Sequence, residues 1–60
     1  MSDYQTLKVL GEYHLALGDT LKAIECFENA LNIRVEKFGI NHPKTTETQK
    51  VLNNLKKRLK

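Results

Sequence analysis

The chain has 60 residues, 40% of them apolar, a net charge of +3 and a single cysteine. A fold of this length buries only about 60% of the surface its unfolded chain exposes, so its stability is marginal without help. The lone Cys26 excludes an internal disulfide and fits a reducing, cytoplasmic setting; the polar start Met1-Ser2-Asp3-Tyr4-Gln5 has no signal-peptide pattern, and no apolar run approaches the roughly 18 residues of a membrane span.

The charge is unevenly spread. Residues 1–49 carry five Lys/Arg against seven Asp/Glu, whereas residues 50–60 carry five basic residues and no acid. The basic character therefore belongs to the C-terminal segment alone.

Ser2 and Gln5 have the spacing of a capping box, which predicts a first helix from about residue 3 to 17. Leu7, Leu10, His14 and Leu17 form one apolar stripe on it, and Val9, Tyr13 and Ala16 a second. A surface hairpin needs one stripe. The second is the expected docking face for an adjacent repeat or another copy of the chain. Gly18 suits the left-handed position after a helix end, and Asp19 can cap the next helix, expected over about 20–38. Its main face is read as Leu21, Ile24, Phe27, Leu31, Val35 and Phe38, with Gly39 as the stop. Pro43 is favourable at a first helical position, with His42 as the cap. A third helix is thus predicted over about 43–59, with Thr45, Thr48, Leu52, Leu55 and Leu59 on one narrow stripe.

Gly11 inside the first helix costs about 1 kcal/mol relative to alanine, so a close helix contact is expected there. The spacing of Leu7, Leu10, Gly11 and His14, followed by Ala23, Phe27 and Ala30, resembles a tetratricopeptide repeat, whose pattern runs W-x2-L-G-x2-Y, then A-x3-F. Leu7 stands for the tryptophan, His14 for the tyrosine, and Val35 occupies the place of the usual late proline. Ala30-Leu31-Asn32-Ile33-Arg34, Phe38-Gly39, His42-Pro43-Lys44-Thr45 and Leu52-Asn53-Asn54-Leu55 together are similar to the longer repeat of the kinesin light chain type. Two departures stand out: the span from His42 to Leu52 is about one helical turn longer, and Lys56 replaces an expected alanine.

The resemblance implies an all-α fold, an antiparallel hairpin plus a capping helix from an α-solenoid, and a role in protein–protein interaction. Leu7/Leu52, Leu10/Leu55 and His14/Leu59 are each 45 residues apart, an offset that puts Lys56 on Gly11. Lysine there suits a solvated end-cap, which repeat arrays require. Carried over by position, Gln5, Lys8, Glu12 and Leu15 line a concave groove, joined through the offset by Lys50, Asn53, Lys57 and Lys60. These eight include four lysines and one glutamate, so the implied ligand is an extended acidic peptide.

Other chemistry finds little footing. Neither His14 nor His42 has a metal-ligand spacing; they read as a packing residue and a cap. Glu25 and Glu28 beside Cys26 oppose a reactive thiolate. No phosphate loop or nucleophile–base grouping is present, so neither an enzyme, a cofactor nor a metal is expected. The tail Lys56-Lys57-Arg58-Leu59-Lys60 lacks aromatics for base stacking and a wide enough apolar stripe for membrane insertion. Specific nucleic-acid or membrane binding is not expected, although weak polyanion adhesion through this helix is an alternative, as is a purely structural end-cap role.

Overall fold

The computed structural model describes residues 3–59. They form three helices, α1 (Tyr4–Ala16), α2 (Thr20–Phe38) and α3 (Pro43–Lys57). Both α1 and α3 pack on α2. Among the described residues, Tyr4 Oη and Thr48 Oγ1 form a side-chain hydrogen bond directly between α1 and α3, at 3.2 Å.

Local signals set the helix ends. The N-cap of α1 is Asp3, whose carboxylate accepts from the Thr6 amide at 2.8 Å. This corrects the expected Ser2–Gln5 capping box: a carboxylate one residue later satisfies the orphan amide, and Ser2 lies outside the described residues. Gly18 takes φ 80° and lets the chain reverse, with the Asp19 amide returning to the His14 carbonyl at 2.8 Å. Asp19 then caps α2 through the Lys22 amide at 3.3 Å. Gly39, at φ 88°, ends α2. His42 caps α3, its Nδ1 accepting from the Lys44 amide at 3.1 Å, with Pro43 opening the helix.

The buried face of α2 is Ala23, Ile24, Phe27 and Ala30. The face expected from Leu21 and Val35 is corrected: Leu21 is 65% exposed and Val35 is exposed as well. Small residues win those contact positions because α1 approaches closely. Ala23 and Ala30 are fully buried, and Gly11 faces the Phe27 ring so closely that an added Cβ would sit 2.6 Å from Phe27 Cε2. On α1 the buried residues are Leu7 and Gly11; the expected stripe partners Leu10 and Leu17 are exposed. Leu15 packs partly against the core. That core is Ala23, Ile24, Phe27, Leu52 and Leu55, and each large side chain in it contributes about 1.5–3 kcal/mol by burial.

The α3 seam is different in kind. Thr45 and Thr48 are buried beside Leu52 and Leu55, while Leu59, past the helix end, is exposed. Thr45 Oγ1 donates to the Gly39 carbonyl at 2.8 Å and to the Arg34 carbonyl at 3.3 Å. Thr45 thereby ties α3 to the Gly39 carbonyl just past the end of α2, and Thr48 Oγ1 donates to the Lys44 carbonyl of its own helix at 3.2 Å. Lys56 is exposed and pairs with Glu28 of α2 at 3.3 Å.

Candidate interaction groove

Two helices leaning on a third leave a cleft between them. Here it is a hollow of about 300 Å³ walled by Tyr4, Lys8, Glu12 and Leu15 of α1 and by Glu47, Thr48 and Val51 of α3, with Phe27 of α2 also lining it. Phe27 as a whole is 5% exposed, and its ring lies against Gly11, which carries no side chain. Lys8, Glu12, Glu47 and the Thr48 hydroxyl surround that ring with polar groups. The chemistry available is recognition: an apolar contact at the base, with hydrogen-bonding and charged groups along both walls.

The residues assigned by position divide. Lys8, Glu12 and Leu15 share the hollow, whereas Gln5 belongs to a neighbouring one. Lys50, Asn53 and Lys57 are exposed on α3 and do not line the hollow; Asn53 accepts from Gln49 Nε2 at 3.1 Å. Lys60 lies outside the described residues. Glu47, Thr48 and Val51 take part without having been singled out for the groove. Thr48 could be found only as a member of the apolar stripe, and Glu47 and Val51 carried no sequence signal. The repeat signature gathers more tightly: Leu7, Gly11, Ala23, Phe27 and Ala30 are all buried, with Pro43 opening α3 and His14 half-buried, edge-on to Tyr13 at 5.5 Å between rings. Leu10 of that signature is 42% exposed. Val9, Tyr13 and Ala16 are exposed together on α1.

The second hollow, of about 320 Å³, lies where α1 and α3 begin and α2 ends, lined by Asp3, Tyr4, Gln5, Ile33, Arg34, Lys37, Phe38 and Lys44. Tyr4 is common to both hollows. Its ring carries the Arg34 guanidinium, 3.5 Å from the ring centroid. Burial raises the Tyr4 phenol, but the Thr48 hydrogen bond and the Arg34 charge outweigh it, leaving the group below its ordinary value of 10.0. The Asp3 carboxyl is held below its ordinary 3.8, chiefly by the Thr6 amide bond.

Among the described residues no group of three or more His, Cys, Asp and Glu side chains is placed to hold a metal ion. No described helix is long and apolar enough to cross a membrane. Cys26 is half-buried on α2.

A helical hairpin in close contact through small residues, with a further helix packed beside it, defines an α-helical repeat module. The sequence matches the tetratricopeptide repeat family over residues 3–58, and the chain belongs to that family. Tetratricopeptide repeats are generally non-enzymatic modules of protein–protein interaction. No curated protein and no solved structure matches the chain.

Proposed function

We propose that the α1–α3 cleft binds an extended segment of a protein partner, in the manner of a kinesin light chain-like repeat. The observation that carries this reading is the 300 Å³ hollow lined by Phe27 and walled by polar groups from two helices. An apolar residue of the ligand sits over Phe27, and its backbone meets the Lys8, Glu12 and Glu47 side chains. The acidic preference rests on the exposed Lys50 and Lys57 of α3, which attract carboxylates at longer range, since Lys8 within the cleft is opposed by Glu12 and Glu47. Fluorescence anisotropy with labelled peptides, one acidic and one basic but otherwise alike, tests the reading. The acidic peptide should bind more tightly, and Lys50→Glu with Lys57→Glu should weaken it. Equal binding of both peptides removes the charge preference; binding untouched by Leu15→Asp removes the cleft.

A second reading, repeat stacking or self-association, is favoured by Val9, Tyr13 and Ala16. Val9 is 52% and Tyr13 58% exposed, and Leu10 and Leu17 of the same helix are exposed beside them. An unpartnered apolar face of this kind suits an adjacent repeat or a second copy, and about three repeats normally share a stable array. Sedimentation over a range of concentrations distinguishes the two: mass rising with concentration, abolished by Tyr13→Glu, supports stacking, and a monomer throughout opposes self-association.

A further inference from the structure

The hollow at the end of α2 has a composition that the peptide cleft does not explain. Three cations converge on the Phe38 ring: the Arg34 guanidinium carbon at 5.4 Å, Lys44 Nζ at 5.2 Å and Lys37 Nζ at 5.8 Å from its centroid. None of them has a carboxylate within ion-pair distance among the described residues, where the ion pair present is Lys56–Glu28. Asp3, the one acid lining the hollow, already accepts from the Thr6 amide.

This grouping runs against ordinary helix electrostatics. Arg34 and Lys37 are three residues apart on α2 and repel each other across one face. Lys44 lies in the first turn of α3, where the helix dipole is positive and a cation is unfavourable; no acidic residue stands in that turn to offset it. Arg34 is also held in place. Its guanidinium stacks on Tyr4, and its Nε is buried without a hydrogen-bond partner. A planar, preorganised guanidinium flanked by two flexible ammonium groups is the donor arrangement that suits a tetrahedral dianion.

We propose that Arg34, Lys37 and Lys44 form a binding site for a phosphate dianion, separate from the peptide cleft. Arg34 supplies the fixed fork, and the two lysines close on the remaining oxygens. The dianion offsets the repulsion among the three cations and the positive end of α3. The site can be filled by free phosphate or by a phosphorylated side chain of a partner.

Titrating the 15N-labelled chain with sodium phosphate at constant ionic strength tests this, followed by the same titration with a blocked phosphoserine peptide. Saturable amide shifts confined to Tyr4, Lys37, Phe38 and Lys44 support the site. The double variant Lys37→Gln/Lys44→Gln alters exposed side chains, so its folding is easily verified by circular dichroism. It should bind phosphate about tenfold more weakly or worse. Arg34→Lys, which keeps the charge and loses the fork, should weaken it as well. Tighter binding of the phosphoserine peptide than of phosphate assigns the site to a modified partner; equal binding assigns it to free phosphate. Linear, unsaturated shifts spread over Lys50, Lys56, Lys57 and Arg58, or affinity unchanged in the double variant, would overturn the proposal. The variants that test the cleft, at Leu15, Lys50 and Lys57, touch none of these three cations, so failure of the cleft reading and failure of this site are told apart.

Discussion

The two faces of α2 are joined to their partners by different physics. Toward α1 the contact is steric: Gly11, Ala23 and Ala30 remove side-chain bulk so that the Phe27 ring and the α1 backbone meet. Toward α3 it is mixed: Leu52 and Leu55 supply apolar burial, while Thr45 donates to the Gly39 and Arg34 carbonyls at 2.8 and 3.3 Å. The first interface tolerates no added atom, and the second tolerates no lost hydroxyl. A substitution that is harmless at one should therefore be costly at the other.

The largest effect should come from Leu52→Ala. Truncating a buried leucine costs about 2–5 kcal/mol, against a total of about 3–9 kcal/mol for a chain this size at typical per-residue stability. Thermal melts followed by circular dichroism should show most of the helix signal lost at or near room temperature. Should the α1–α2 hairpin keep its helicity while α3 melts, the two interfaces are independent and the comparison has to be redrawn as two separate units.

Gly11→Ala comes next. Alanine gains about 1 kcal/mol of helix propensity, but its Cβ would lie 2.6 Å from Phe27 Cε2 and 2.9 Å from Cδ2. Overpacking of this kind costs about 1–3 kcal/mol unless the Phe27 ring shifts into the adjoining hollow. A lower urea midpoint is expected, and a higher one would show that the contact can relax. Thr45→Val, nearly isosteric, should cost about 1 kcal/mol through the lost hydrogen bonds to the Gly39 and Arg34 carbonyls. The exposed Thr46→Val is the control, and equal midpoints for the two would mean that the α3 interface is held by burial alone.

The smallest effect concerns pH. Because the folded Asp3 carboxyl lies below its ordinary 3.8, its contribution is intact above that value and fades as the pH falls past it toward the lowered folded value. The Thr6 amide should accordingly shift or exchange faster on acidification, while Asp3→Asn removes that pH dependence. A Thr6 amide indifferent to acid rules out the carboxylate cap as its partner.

The steric interface was legible in the sequence, because close approach demands small residues and few arrangements supply them. Gly11, Ala23 and Ala30 announced themselves by type and spacing, and Gly39, His42 and Pro43 marked the ends of α2 and α3 by backbone chemistry. The orientation of faces was harder to read. Leu10, Leu17 and Leu21 are as apolar as Leu7, yet they are exposed, since periodicity reports which residues share a side and not which side is covered. Likewise an offset of 45 superposes Leu7 on Leu52 but does not reach Glu47, Thr48 and Val51. Each residue turns a helix by about 100°, so the roll of α3 on α2 selects what enters the cleft. The cluster around Phe38 was invisible for a related reason. Arg34, Lys37 and Lys44 come from two helices, and the Gly39–His42 connection brings them to one ring.

Tyr4 belongs to the walls of both hollows. Its hydroxyl is tied to Thr48 on one side, and its ring is pinned by Arg34 on the other. A ligand that draws Arg34 away from the ring alters the free energy of the Tyr4 side chain seen from the cleft. If both hollows take ligands and one of them shifts Tyr4, thermodynamic linkage makes the effect on the other equal and reciprocal.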